Sequence, residues 1–191
     1  MSPLQIPADA VLLPIDIQKA FDHPGLGRRN NPNLEANVRD LFAAWRAKGR
    51  PLIHVRHVSS ASTMGFQPGS PGIDFKEEAR PKVGEQVITK QVHSAFIGTD
   101  LERSLEAWKS RSLILFGIQT NYCVATTARM ASNLGYTVLV VGDACSTLPQ
   151  KMLDGSMAKP ELVHDIALSE LHGEFAAVVS TRDVLAAVAS R

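Results

Sequence analysis

The sequence predicts an α/β protein built on a parallel β-sheet, a reading carried by three observations. Short apolar runs alternate with stretches of helical periodicity along the chain, which is the rhythm of βαβ units. Ser112 to Phe116 and Thr137 to Val141 are nearly unbroken apolar runs, as strands buried on both faces require. The 191 residues suit one domain spanning 1–191. A chain of this length buries about 70% of its unfolded surface and needs no disulfide or metal to fold.

The elements follow in order. Val11 to Ile15 is the first strand, weakened by Pro14, which cannot donate to a ladder. Asn33 to Lys48 reads as a helix with Leu34, Val38, Leu41, Phe42 and Trp45 on one face, closed by Gly49. Leu52 to Val58 and Gln86 to Thr89 are the next strands. Thr99 and Glu102 have the spacing of a capping box and open a helix carrying Leu101, Leu105 and Trp108. After the Ser112–Phe116 strand, a helix is expected from about Cys123 to Leu134, stopped by Gly135. Beyond the Thr137–Val141 strand, Glu161 to Leu171 is helical, Phe175 to Val179 is a sixth strand, and Thr181 caps a last helix. Two stretches, Asp22 to Pro32 and Ser59 to Gly84, are rich in Gly and Pro and show no sustained period. Long loops of this kind in a compact domain often serve function, so either could wall a pocket.

Charge narrows the function classes. Twenty Lys and Arg against nineteen Asp and Glu leave a net charge of +1, with Arg28-Arg29 the one basic pair of local emphasis. Nucleic-acid and membrane-surface binding both draw on clustered cations, so neither is expected. The amino-terminal residues lack the charged and apolar regions of a secretory leader, and no apolar run approaches a membrane span. With two cysteines outside any CxxC pair, a reduced, cytoplasmic setting is expected.

In open α/β sheets ligands bind beyond the carboxyl ends of the strands. That rule collects Asp16, His57, Lys90, Gln119 to Cys123, and Asp143 to Cys145. A carboxylate, an ammonium and a thiol on one edge are the ingredients of nucleophilic catalysis. Cys123 opens a predicted helix, where the dipole favours a thiolate and free amides could hold an oxyanion. Cys145 leaves a strand and reads as packing.

These residues resemble the isochorismatase-like cysteine hydrolases, in particular the nicotinamidase-related branch. The resemblance covers nearly the whole chain. It is carried by Leu13-Pro14-Ile15-Asp16-Ile17-Gln18 with Phe21, and by Lys90 with Ser94-Ala95-Phe96 and Gly98-Thr99-Asp100-Leu101. It continues in Gly117-Ile118-Gln119-Thr120-Asn121-Tyr122-Cys123-Val124, Thr127, Arg129, Leu134-Gly135-Tyr136 and Asp143-Ala144.

The resemblance implies a three-layer α/β/α fold with a six-stranded parallel sheet in the order 3-2-1-4-5-6. It implies a triad of Asp16, Lys90 and Cys123, a cis peptide at Ile118-Gln119, and an oxyanion hole from the Gln119 and Cys123 amides. Gln18, Phe21, His57, Phe96 and Tyr122 are the expected pocket residues. The implied chemistry is acyl transfer to sulfur: Asp16 takes the thiol proton, Lys90 lowers the thiol pKa, and water hydrolyses the thioester. The family habit also implies a homo-oligomer.

Departures from the family pattern sharpen the expectation. Metal-binding nicotinamidases carry Asp-x-His on the second strand, whereas this chain reads Leu52-Ile53-His54. His54 and His57 are three apart and point to opposite faces of a strand, so no metal and no cofactor is expected. Isochorismatases that cleave a vinyl ether lack the cysteine, so Cys123 favours hydrolysis of a small amide or ureido C–N bond. A vinyl ether hydrolase and a non-catalytic thiol redox sensor are the alternatives. A nucleotide-dependent oxidoreductase is excluded, because no glycine-rich turn follows the first strand.

Overall fold

The computed structural model describes residues 4–60 and 65–190. The first three residues of the leader reading, and 61–64 of the second irregular stretch, lie outside the described residues. The strands are β1 (Val11–Ile15), β2 (Ile53–His57), β3 (Gln86–Lys90), β4 (Ser112–Ile118), β5 (Thr137–Ser146), β6 (Gln150–Lys151), β7 (Met157–Ala158) and β8 (Ala177–Val179). Six of them form a parallel sheet in the order β3-β2-β1-β4-β5-β8. This is the expected order; β6 and β7 form a small antiparallel hairpin that the sequence reading did not anticipate.

The centre and the edge of the sheet differ as burial requires. β1 is buried throughout, and β4 is buried in all but its first residue, because both lie between other strands and under helices. β3, at the edge, alternates at its end between exposed Val87 and Thr89 and buried Ile88 and Lys90. The helices are α1 (Leu34–Ala47), α2 (Leu101–Ala107), α3 (Ala125–Asn133), α4 (Pro160–Leu171) and α5 (Thr181–Ala189). α1 packs with α5 and α3 with α4, giving helix layers that flank the sheet. The expected α1 stripe of Leu34, Val38, Leu41, Phe42 and Trp45 is fully buried.

Pro14 sits inside β1 after all, and the ladder shows how it is tolerated. On the β2 side, Leu12 N–H donates to Pro51 O at 3.0 Å and Asp16 N–H to Val55 O at 2.9 Å. Proline falls midway between these two donors, so the sheet loses one rung and not its register. Gly117 has a tighter requirement. Its φ is +138°, and a Cβ there would lie 1.9 Å from Ile15 O, so the β1–β4 pair closes only on glycine.

Several helix and strand ends move. α2 begins at Leu101 with Asp100 as its N-cap; the Thr99 hydroxyl donates to Ala95 O at 2.5 Å instead of forming a box with Glu102. α5 is capped by Ser180, whose capping box closes with Asp183. Thr181, the expected cap, is the first helical residue and binds the Asp143 carboxylate through N–H and hydroxyl at 2.7 and 2.8 Å. β5 runs on to Ser146, because a bulge against β4 brings Cys145 opposite Gly117.

Candidate active site

Asp16 follows β1 with φ +53°, a left-handed conformation that aspartate tolerates better than most side chains. The turn is held by Asp16 N–H to Val55 O and by Gln18 N–H to Asp16 O, each 2.9 Å. Lys90 is the last residue of β3, two strands away across β2. Cys123 lies in a π-helical turn, Thr120–Val124, that leads into α3. The helical turn therefore begins three residues before the cysteine, and Cys123 is not its first residue.

The sheet brings these three side chains together. Lys90 Nζ lies 2.7 Å from Asp16 Oδ2 and donates to Cys123 Sγ at 3.2 Å and to Val92 O at 3.2 Å. Asp16 and Lys90 are each 1% exposed and Cys123 is 8% exposed. No aligned hydrogen bond reaches either Asp16 oxygen among the described residues, so the carboxylate retains acceptor capacity beside the thiol.

Electrostatics corrects one sequence expectation. Burial, and then the Asp16 charge, push the Cys123 thiol far above its ordinary value, and Lys90 only partly offsets them. The resting sulfur is a thiol, not the thiolate that a helix start and a lysine would favour. For Lys90, burial works against the ammonium, but Asp16 and Cys123 outweigh it and hold the group charged.

Asp16, Gln119 and Cys123 line a cavity of about 180 Å³ with Phe21, Leu26, His57, Phe66, His93 and Tyr122. Both irregular stretches contribute walls, the first through Leu26 and the second through Phe66. The Phe66 ring meets Phe21 edge-on at 5.1 Å and His57 edge-on at 5.6 Å. The Ile118–Gln119 peptide is cis.

Of the expected pocket residues, Phe21, His57 and Tyr122 line the cavity. Gln18 and Phe96 do not. Gln18 is buried behind it, accepting from His57 N–H at 2.7 Å and donating to His57 O at 2.9 Å and Ile73 O at 3.0 Å. It therefore fixes the end of β2. Phe96 is buried in the core and packs on Tyr136 with ring centres 5.8 Å apart. Asp143 is taken up by the α5 cap, and Cys145 is buried, with its thiol pushed up to about 12 by desolvation.

Leu26 and His93 escaped the sequence reading, and the role of Phe66 was not seen. His93 stacks on Tyr122 at 5.6 Å, with its Nδ1 3.5 Å from Cys123 Sγ. Its position three residues past Lys90, on the same sheet edge, was the available signal. Leu26 and Phe66 sit in aperiodic segments, where no pattern tells which side chain turns inward.

His54 points away from the cavity, as its spacing from His57 requires. Its Nε2 lies 2.8 Å from Glu85 Oε2, between the Phe42 and Phe75 rings. Among the described residues no three His, Cys, Asp or Glu side chains gather as a cation cage. No helix there is long and apolar enough to cross a membrane.

Comparison with known proteins agrees with this architecture. Residues 10–183 match the isochorismatase domain family. A crystal structure assigned to the isochorismatase family of hydrolases, from Chromobacterium violaceum, superposes with a TM-score of 0.96 at 42% identity, covering 100% of both chains. The isochorismatase family protein YrdC of Bacillus subtilis is 35% identical over 91% of this chain and 93% of its own length. The ureidoacrylate amidohydrolase RutB of Pseudomonas syringae is 26% identical over 93% of this chain and 82% of its own. With its sheet order, its strand-edge site and these matches in agreement, the chain belongs to the isochorismatase family of hydrolases.

Proposed function

We propose that this protein is a cysteine-dependent hydrolase of a small non-peptide amide or ureido C–N bond, working through a thioester. One observation carries the reading: a single buried ammonium, Lys90, contacts both the Asp16 carboxylate and the Cys123 sulfur, and these two groups line a cavity. Its likeness to a protein named an amidohydrolase supports C–N hydrolysis over vinyl ether cleavage.

The chemistry follows from the protonation states. The thiol is held protonated, so attack and proton transfer must go together: Sγ bonds the carbonyl carbon as its proton passes to Asp16. Lys90, 2.7 Å from Asp16 Oδ2, holds the carboxylate in place until then and balances the charge moving onto the substrate. The Gln119 and Cys123 N–H groups are assigned to the oxyanion, each such donor contributing about 3–4 kcal/mol. Asp16 then returns the proton to the departing nitrogen, leaving a thioester on Cys123. Water, deprotonated by Asp16, attacks the thioester and releases the acid and the free thiol.

The test is ammonia release across a panel of small amides and ureido compounds, with mass spectrometry of trapped Cys123. Turnover that survives in Cys123→Ala at near wild-type rate overturns the mechanism. A reduced, cytoplasmic setting suits such a thiol. Exposed Leu162 and Ile166 on α4, which share a groove with exposed Met152, support a homo-oligomer, which light scattering reads directly.

A further inference from the structure

We infer that the cavity selects uncharged amides with a compact apolar acyl group and rejects amides that carry a second, carboxylate group. The inference rests on the hydrolase reading above and names its substrate class.

Among the described residues the lining contains no lysine or arginine. Four side chains, Phe21, Leu26, Phe66 and Tyr122, offer apolar surface, and Asp16 is the one lining carboxylate. Lys90 lies behind the lining, and its ammonium is committed to Asp16, Cys123 and Val92 O, so it balances the Asp16 charge without offering a free cation. Of the cations on the segments that supply Leu26 and Phe66, Arg29 pairs with Glu35 at 2.6 Å, Lys76 with Glu35 at 3.0 Å and with Asp22, Arg28 with Glu161 at 2.6 Å and Arg80 with Glu77 at 2.7 Å. His57 is held neutral by burial and the nearby Lys90 ammonium.

A substrate carboxylate entering this space would lose its water and find no uncommitted cation among the described lining residues: Phe21, Leu26 and Phe66 offer it apolar surface, His57, His93, Gln119 and Tyr122 offer at most neutral hydrogen bonds at pH 8, and the Asp16 charge is of its own sign. Burying an unpaired charge costs far more than burying a methyl of the same size. Size adds a second limit. A cavity of about 180 Å³ is smaller than the roughly 300–1,000 Å³ of sites for drug-sized ligands. The Phe66 wall, braced edge-on by Phe21 and His57, also resists widening.

The test uses two amides of the same shape, 4-methylpentanamide and succinamate, which differ by an isopropyl group in place of a carboxylate. Their affinities for Cys123→Ala are measured by calorimetry at pH 8, where ordinary histidines are neutral, and their kcat/KM values are measured on the wild-type enzyme. The expected preference for the uncharged amide is about 100-fold. Leu26→Arg, placing a cation in the wall, should narrow it about tenfold. Equal or tighter binding of succinamate overturns the inference, as does an unchanged preference in folded Leu26→Arg. The hydrolase reading fails separately, if the uncharged amide binds preferentially and neither it nor the wider panel releases ammonia.

Discussion

The Lys90 ammonium and the Asp16 carboxylate meet at 2.7 Å, both sealed from solvent by the sheet edge and the aromatic wall above it. A buried pair of this kind is costly to break from one side, because the remaining charge has no water to turn to. Lys90→Met should therefore lower unfolding free energy by about 3–5 kcal/mol and abolish amide turnover. Urea denaturation and ammonia release read the two effects; a stable variant would show that the pair is not held dry.

Cys123 should alkylate slowly at neutral pH, with a rate that keeps rising into alkaline solution. Burial and the Asp16 charge hold its thiol protonated, and only the thiolate reacts with iodoacetamide. A rate plateau near pH 7 would contradict this protonation state. Cys145 is closed to reagent, so Cys145→Ala should leave both alkylation and turnover within about twofold of wild type.

Stability should fall as pH drops below about 6.5, before the carboxylates titrate. His54, His57 and His164 all have their pKa values lowered in the fold, chiefly by burial. Below the unfolded value the unfolded chain binds protons that the folded chain refuses, so the contribution is whole above that pH and is lost beneath it. Denaturation midpoints at pH 7.5 and 5.5 check the sign, and His57→Gln should flatten the slope.

Glu35 ties the two pocket-wall segments together through Arg29 at 2.6 Å and Lys76 at 3.0 Å. Burial raises its pKa, but these two cations win and keep it low. Glu35→Gln should loosen the walls that position Leu26 and Phe66. The expected result is a KM raised about three- to tenfold with a smaller loss in kcat. A loss confined to kcat would place the effect on the chemistry instead.

Gly117→Ala should be among the most damaging single substitutions. Its Cβ would fall 1.9 Å from Ile15 O on the neighbouring strand, one residue before Asp16 and next to the Ile118–Gln119 peptide. A loss above about 4 kcal/mol, or insoluble expression, is expected. Near wild-type melting would mean that β1 and β4 can separate without cost.

The amino-acid sequence by itself determined the alternation of strands and helices, because central strands announce burial on both faces and helices repeat at their own period. It also placed Asp16, Lys90 and Cys123 on one edge, since parallel strands deliver their carboxyl ends to the same side. Tertiary structure decided what those groups are at rest. The state of the Cys123 thiol depends on desolvation and on a carboxylate from another strand, and no local pattern encodes either. Pairing between distant segments likewise turned Gln18 into a brace for β2, sent Phe96 to the core, spent Asp143 on a helix cap, and aimed Leu26 and Phe66 into the cavity. Periodicity reports the average face that an element buries. Which polar group meets which partner is settled only when the chain closes on itself and water leaves.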